Sequence, residues 1–158
     1  MSANDSPKTL VIAEAGVNHN GSLETAKKLI HAAAEVGADV VKFQTFKAEF
    51  LVTQSASKAD YQLLSTESSE SQFHMIKNLE LTPHEHMLLK AECEAFKICF
   101  ASTGFDEASV DFLVELGIDF LKIPSGEITN LPYLRHVGSR KMPVILSTGM
   151  ATLEEVRQ

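Results

Sequence analysis

At 158 residues, the chain is long enough for one domain with a sizeable core. Its composition, with 44% hydrophobic and 22% charged residues, is that of a globular protein and not of a disordered one. A formal net charge of −7 argues against a nucleic-acid-binding protein, because phosphate contacts require a basic face.

The sequence also lacks targeting and cross-linking signals. No apolar run approaches the length of a bilayer span, and no basic segment followed by an apolar one begins the chain. We therefore expect no membrane partner and a cytoplasmic location. The two cysteines, Cys93 and Cys99, form neither a disulfide framework nor a metal knuckle, so reduced thiols are expected.

The first part of the chain predicts a strand, a helix and a second strand. An apolar run at residues 9–13 predicts the first strand, and residues 18–21 have strong turn chemistry. A helical period begins at Ser22, and Gly37 is placed to end that helix. Residues 39–43 predict the second strand. A strand–helix–strand unit of this kind requires parallel pairing of the strands.

Residues 45–72 interrupt this alternation. Ser, Thr, Gln and Glu dominate the segment. A connection of this length in a compact domain is a lid, a partner-contact loop or a disordered segment, and the sequence leaves these alternatives open. A short helix is expected around residues 71–79.

Helices and strands alternate again after this segment. Thr82 begins a helix, Asp106 caps another that Gly117 closes, and Thr152 with Glu155 begins the last one. The apolar residues of the first of these helices predict its buried side as Met87, Leu88, Ala91 and Ala95. Further strands are predicted at residues 98–102, 120–124 and 143–147, with a helix at residues 130–137 between the last two.

Five strands alternating with helices predict an α/β fold with a parallel sheet. No Gly-x-Gly-x-x-Gly follows the first strand and no Gly-Lys-Ser/Thr loop occurs, so the nucleotide-binding fingerprints are missing. A (β/α)8 TIM barrel takes about 250 residues, and this chain would supply about five of its eight βα units. An open five-stranded sheet would leave two unpaired edges. We therefore interpret residues 1–158 as the N-terminal portion of a truncated TIM-barrel domain.

Lys122 is unusual because it lies inside a predicted buried strand. Alternation places it on one face with Phe120 and Pro124. A buried ammonium is costly unless it meets a counter-charge. Two interpretations follow: a core lysine paired with a neighbouring carboxylate, or an ammonium that binds an anion at the mouth of a site.

The other predicted strands also end in functional groups. In a parallel barrel the carboxyl ends of the strands share one rim, where active sites are built. Two ammonium groups and several hydroxyls there suit a compact multivalent anion, and two carboxylates can serve as acid, base or sugar-hydroxyl acceptors. The strand-end residues are Glu14, Lys42, Gln44, Thr103, Lys122, Ser125, Glu127, Ser147 and Thr148.

The histidines do not predict a metal site. His84 and His86 are two positions apart on a helix, so they do not share a face. His19 is close to the rim and is expected to orient its turn.

Four blocks of the sequence resemble the N-acetylneuraminate (sialic acid) synthases and their bacterial relatives that make legionaminic and pseudaminic acids. The resemblance runs from about residue 9 to the end of the chain and leans towards the bacterial branch. The blocks are Ile12-Ala-Glu14-Ala-Gly-Val-Asn-His-Asn-Gly21, Val41-Lys42-Phe-Gln-Thr45, Lys122-Ile-Pro-Ser-Gly-Glu-Ile-Thr-Asn130 and Ile145-Leu-Ser-Thr-Gly-Met150.

The resemblance implies a (β/α)8 enzyme that condenses phosphoenolpyruvate with an N-acetylmannosamine-type sugar. Carbon 3 of phosphoenolpyruvate attacks the sugar aldehyde, a metal-activated water adds at carbon 2, and phosphate leaves. Glu14 and Glu127 are implied as the acid/base or sugar-positioning carboxylates. The implied ligands of phosphoenolpyruvate are Lys42, Thr103, Lys122 and Ser125, with Gln44 beside them as a further substrate-binding candidate.

The resemblance also implies features that this chain does not carry. The metal-binding histidines of the family lie later in the barrel, so Mn²⁺ or Mg²⁺ is implied for the intact enzyme with no ligand assigned here. The later barrel strands and the C-terminal antifreeze-like domain of the family are absent. A homodimer is implied for the full-length enzyme.

Two other hypotheses remain open at this point. A Schiff-base aldolase also places a lysine at the end of a barrel strand. A half-barrel fragment could instead bind anions, or associate through its open edges, without catalysis.

Overall fold

The computed structural model describes residues 9–53, 71–149 and 151–157. In these ranges strands and helices alternate along the chain. The strands are β1 (Ile12–Gly16), β2 (Val40–Thr45), β3 (Cys99–Gly104), β4 (Leu121–Ile123) and β5 (Val144–Leu146). The helices are α1 (Leu23–Glu35), α2 (Ala48–Leu51), α3 (Gln72–Lys77), α4 (Pro83–Ala95), α5 (Glu107–Leu116), α6 (Leu131–Ser139) and α7 (Leu153–Arg157), with a 3₁₀ turn at Ser125–Glu127.

The five strands form one parallel sheet in the order β1-β2-β3-β4-β5. Each strand lies beside the strand that precedes it, and helices connect them. This is the arrangement of consecutive βα units in a (β/α)8 barrel, so the predicted fold class is confirmed.

Three strands extend further towards their carboxyl ends than predicted. The sequence prediction stopped β2 and β3 near their last apolar residues, at residues 43 and 102. In the structure Gln44 pairs with Thr103, and Thr45 pairs with Gly104. Likewise, β1 begins at Ile12 and runs to Gly16. The ladder continues because its hydrogen bonds use the backbone, which a polar side chain does not interrupt.

Apolar side chains on the helix side of the sheet form the core. Phe43 and Phe100 stack on adjacent strands with ring centroids 5.7 Å apart. Against them pack Ala26, Ile30 and Ala33 of α1. Each fully buried aliphatic side chain of the size of Ile30 contributes about 1.5–3 kcal/mol.

The predicted buried side of α4 is wrong. Met87 and Leu88 are exposed, as are Ala91 and Ala95, whereas the buried residues are His86, Leu89 and Cys93. The helix turns a polar residue towards the sheet because that residue finds partners there.

His86 is held by hydrogen bonds at both ring nitrogens. Its Nδ1 lies 2.9 Å from the carbonyl oxygen of Thr82, and its Nε2 lies 2.8 Å from the hydroxyl of Thr45. A carbonyl can only accept, so Nδ1 donates and Nε2 accepts from Thr45. Burial lowers the pKa of His86, which favours this neutral form. The network ties α4 to the end of β2.

A compact turn joins β1 to α1. Within it, the amide of Gly21 donates to Nδ1 of His19 over 3.0 Å, so the prediction that His19 orients its turn is confirmed. Gly21 has φ +74°, and a Cβ atom at this position would lie 2.1 Å from the carbonyl oxygen of Asn78. Only glycine lets the turn pack this closely against the end of α3.

We expect Gly21→Ala to lower the free energy of unfolding by about 3 kcal/mol, because it combines a left-handed backbone with overpacking. Gly138→Ala is the matched control, since a Cβ atom on this glycine of α6 meets nothing within 4 Å. The control should raise that free energy by about 0.5–1 kcal/mol. Urea unfolding of the variants measures both changes, and an equal response at the two sites would contradict the packing argument.

Most of the predicted loop at residues 45–72 lies outside the described residues. Described residues before and after the undescribed part contact each other. The carboxylate of Glu80 accepts from the amide of Ala48 over 2.7 Å and from Lys77 over 3.2 Å. In the ranges that the structure describes, no helix combines the length and apolar character needed to cross a bilayer.

Candidate functional site

A cavity of about 410 Å³ opens at the carboxyl ends of the strands. Every strand of the sheet contributes to it, either directly or through the residue that follows the strand. The lining residues are Glu14, Gly16, Val17, Asn18, Lys42, Gln44, Thr103, Phe105, Lys122, Pro124, Ser125 and Ser147.

Lys42 is almost buried and has an acidic partner. Its ammonium lies 2.5 Å from Oε2 of Glu14, the residue that pairs with it across the β1–β2 ladder. It also donates to the hydroxyl of Thr103 over 3.4 Å, a long hydrogen bond. The side chain of Lys42 is 11% exposed, whereas that of Glu14 is 54% exposed. The carboxylate can therefore turn away towards solvent or a ligand, while Lys42 stays in place.

Among the described residues, the hydrogen-bond acceptors of Lys122 are uncharged. Its ammonium donates to the hydroxyl of Ser147 over 2.7 Å and to the carbonyl of Ile123 over 2.8 Å. No ion pair involves it in the described part of the chain. Burial, followed by the positive charge of Lys42, lowers its pKa, and Glu14 acts in the opposite direction. Of the two interpretations of Lys122, the geometry favours an ammonium available to an anion.

Gly16 shapes the floor of this cavity. The β1–β2 pairing is irregular between Glu14 and Gly16, and Gly16 has φ +52°. A Cβ atom there would lie 3.0 Å from a carboxylate oxygen of Glu14 and 3.5 Å from the amide nitrogen of Gln44. The missing side chain leaves room for both groups to face the cavity.

Of the strand-end residues predicted from the sequence, all but Glu127 and Thr148 line the cavity. Glu127 ends the 3₁₀ turn that begins at Ser125, and its carboxylate accepts from the side-chain amide of Asn130 over 2.6 Å. It is absent from the lining residues. Its catalytic role stays a prediction.

The sequence analysis did not place several lining residues in the site. Asn18 had only its turn chemistry as a signal. Phe105 and Val17 had none, because an apolar residue after a strand is more often part of the core than of a site.

The described residues contain no cluster of side chains that would hold Mn²⁺ or Mg²⁺ by itself. In these ranges no three His, Cys, Asp or Glu side chains converge on a point. Glu14 is the acidic residue that lines the cavity, and its carboxylate is already paired with Lys42. We therefore derive no chemical step through a metal from this chain.

Comparison with known proteins bears on the identity of this site. The model of the NeuB family matches residues 29–158. The chain belongs to the NeuB family. The match covers β2 to β5, and with them most of the residues around the cavity.

Members of the NeuB family and solved structures resemble the chain along nearly its whole length. It is 57% identical to the N,N'-diacetyllegionaminic acid synthase of Legionella pneumophila, covering 93% of this chain and 41% of that protein. It is 34% identical to the human N-acetylneuraminate-9-phosphate synthase, covering 94% of this chain and 41% of that protein. The sequence-based resemblance to the sialic acid synthases is confirmed.

A solved structure also matches the fold. The N-acetylneuraminic acid synthetase of Leptospira borgpetersenii, in complex with citrate, superimposes with a TM-score of 0.81 at 28% identity. The match covers 99% of this chain and 52% of that one. Compared with the two curated relatives above, the chain spans about two fifths of their length.

Proposed function

We propose that this chain forms the phosphoenolpyruvate-binding part of a synthase that condenses phosphoenolpyruvate with an N-acetylated amino sugar. The products would be a nonulosonic acid and inorganic phosphate. One observation carries the proposal: the ammonium groups of Lys42 and Lys122 face the same cavity as the hydroxyls of Thr103, Ser125 and Ser147.

This set of groups suits a ligand that carries both a phosphate and a carboxylate. Each lysine acts as a compact point charge, and the hydroxyls donate hydrogen bonds to anionic oxygens. Lys122 is the first candidate for the phosphate because its contacts are uncharged. Lys42 becomes fully available once the ligand displaces Glu14, which is half exposed.

Glu14 would then act on the second substrate. Its carboxylate lies at the cavity, one strand away from the lysine that it pairs with. Turned away from Lys42, it can accept a hydrogen bond from a sugar hydroxyl or exchange a proton with the sugar aldehyde oxygen during carbon–carbon bond formation.

The relatives favour a particular sugar. The higher identity to the N,N'-diacetyllegionaminic acid synthase than to the human enzyme supports a sugar that carries two N-acetyl groups. We further propose a homodimer and a divalent metal for the complete protein, with metal ligands outside the described residues.

Phosphate release by the complete protein tests the proposed function. We expect release to require both phosphoenolpyruvate and an acetamido sugar, with the diacetylated sugar giving a higher kcat/KM than N-acetylmannosamine. Release of phosphate from phosphoenolpyruvate in the absence of a sugar would overturn the proposed condensation reaction. Phosphate binding without any release would favour a purely anion-binding protein.

A Schiff-base aldolase remains a second candidate because of Lys122. A lysine with a lowered pKa beside another cation is what amine nucleophiles require. Borohydride reduction in the presence of pyruvate distinguishes the candidates. We expect no covalent adduct, and an adduct on Lys122 or Lys42 would favour the aldolase.

Glu127→Gln tests the catalytic role that the sequence predicts for this residue. We expect kcat to fall at least tenfold with little change in the affinity for phosphoenolpyruvate, because a carboxylate that moves a proton acts mainly in the transition state. Glu24→Gln, an exposed change in the first turn of α1, is the control. Unchanged kcat would remove Glu127 from the catalytic residues.

A further inference from the structure

Tyr133 makes a buried hydrogen bond directly behind the site. It lies on α6 and is 3% exposed. Its hydroxyl donates to the carbonyl oxygen of Gly104 over 2.6 Å. Burial, with a smaller effect from the charges of Glu127 and Asp106, raises the pKa of Tyr133. The hydroxyl therefore stays protonated and remains a donor at neutral pH.

The acceptor of this bond adjoins a residue of the site. Gly104 ends β3 and follows Thr103, whose hydroxyl contacts Lys42. On its other side Gly104 is packed against α5, since a Cβ atom there would lie 3.1 Å from the amide nitrogen of Val110. The end of β3 is thus held between two helices, and Tyr133 is the contact from α6.

The hydrogen-bonded ladder of the sheet constrains the ends of β3 and β4 only weakly. β2 and β3 pair continuously from Val40 with Cys99 to Thr45 with Gly104. β3 and β4 share the single registered pair of Thr103 and Lys122. The end of β3 supplies a hydroxyl to the cavity and β4 supplies an ammonium. The spacing between these two strand ends therefore depends on contacts outside the ladder.

The first turn of α6 also holds the segment after β4. The side chain of Asn130 caps the helix by accepting from the amide of Tyr133 over 3.3 Å. The same side chain donates to Glu127 over 2.6 Å. This turn of helix is therefore bonded to both sides of the gap between β3 and β4: to Gly104 on one side and to the Ser125–Glu127 turn on the other.

We propose that Tyr133 is a positioning residue for the anion site. Its hydroxyl fixes the end of β3 relative to the segment that carries Lys122 and Ser125, so that both strand ends reach the same ligand. The inference rests on the proposed function at one point: a phosphorylated substrate is the ligand of this cavity.

Tyr133→Phe in the complete protein tests the proposal because it removes one hydroxyl and keeps the ring. Ser139→Ala is the matched control: its hydroxyl also lies on α6, but donates to His136 of the same helix. The measurements are the Kd of inorganic phosphate by calorimetry, the KM and kcat with phosphoenolpyruvate, and the thermal unfolding midpoint.

We expect Tyr133→Phe to raise the phosphate Kd and the KM for phosphoenolpyruvate about tenfold, since small displacements of binding groups cost this much or more. We expect kcat to change less than twofold, and Ser139→Ala to leave all three constants unchanged. A lower unfolding midpoint with an unchanged phosphate Kd, measured well below that midpoint, would overturn the proposal and leave Tyr133 with a structural role only.

The experiments can contradict the proposed function without contradicting the proposed role of Tyr133. If no variant releases phosphate from the two substrates, the proposed function is overturned, and the phosphate Kd values still decide for or against Tyr133. If the unaltered protein does not bind phosphate, the cavity is not an anion site and both proposals fail.

Discussion

Replacing Lys122 with alanine is expected to raise the Kd of phosphoenolpyruvate about a hundredfold, with a smaller change in kcat. A hydrogen bond to a charged group contributes about 1.5–3 kcal/mol, which corresponds to roughly 10- to 150-fold in affinity. The upper part of this range applies because Lys122 is partly buried and has no carboxylate that already neutralises it in the described residues.

This loss of affinity should not come from unfolding. Removing an ammonium that has no acidic partner in the described ranges relieves a desolvation cost, so the free energy of unfolding should stay equal or rise. Lys28→Ala, on the exposed side of α1, is the control for the loss of one positive charge. Calorimetry that gives the same Kd for Lys122→Ala and the unaltered protein would contradict the role of Lys122.

The lowered pKa of Lys122 gives the site a dependence on pH. In the free protein Lys122 loses its proton at a lower pH than an ordinary lysine. An anion favours the charged form, so affinity falls as pH rises through the lowered pKa. The free energy of unfolding should rise over the same interval, because the unfolded chain then binds more protons.

Phosphate binding measured from pH 8 to about pH 10, where phosphate itself stays a dianion, tests this dependence. Lys122→Arg should remove the decline, since a guanidinium keeps its charge throughout this range. A decline that persists in Lys122→Arg would assign the titration to another group.

We expect Glu14→Gln to strengthen the binding of phosphoenolpyruvate and to lower kcat. The change keeps the shape of the side chain but removes the counter-charge 2.5 Å from Lys42. An anionic ligand then no longer competes with a carboxylate for that ammonium, so phosphoenolpyruvate should bind several-fold tighter. In contrast, kcat should fall about a hundredfold or more, because a positioned acid or base contributes this much.

Single-turnover kinetics together with calorimetry separate the two effects of Glu14→Gln. Glu24→Gln is again the control, as an exposed carboxylate that does not line the cavity. Weaker binding of phosphoenolpyruvate by Glu14→Gln would show that the Glu14–Lys42 pair supports the anion site. Unchanged kcat would exclude Glu14 from the chemistry.

The position of most site residues was predictable because it follows from one rule. Parallel strands expose their carboxyl ends on one rim. Polar residues at these ends therefore lie on the same rim, however far apart they are along the chain. Glu14 and Ser147 meet in this way from opposite ends of the sequence. Lys122 was recognisable because an ammonium in an apolar strand requires an unusual environment.

Other features could not be predicted because they depend on partners that the pattern does not contain. His86 is buried because Thr45 and Thr82 supply hydrogen bonds, whereas apolar Met87 beside it is exposed. Glu127 lies four residues after the end of β4, where its carboxylate accepts a hydrogen bond from Asn130 and does not line the cavity. The bond from Tyr133 to Gly104 joins residues that are 29 positions apart and has no local signature.

The two lysines of the cavity also have a practical consequence for denaturation experiments. Burial, and after it the positive charge of Lys42, lowers the pKa of Lys122, so an anion in the cavity would relieve an unfavourable placement of charge. A small dianion that occupies the proposed site would stabilise the native protein by mass action, and at a hundred times its Kd this amounts to about 2.7 kcal/mol. Melting temperatures recorded in phosphate or sulfate would combine occupancy of the site with the intrinsic stability of the fold. Variants of these lysines can be ranked by stability only in buffers whose anions are large or monovalent.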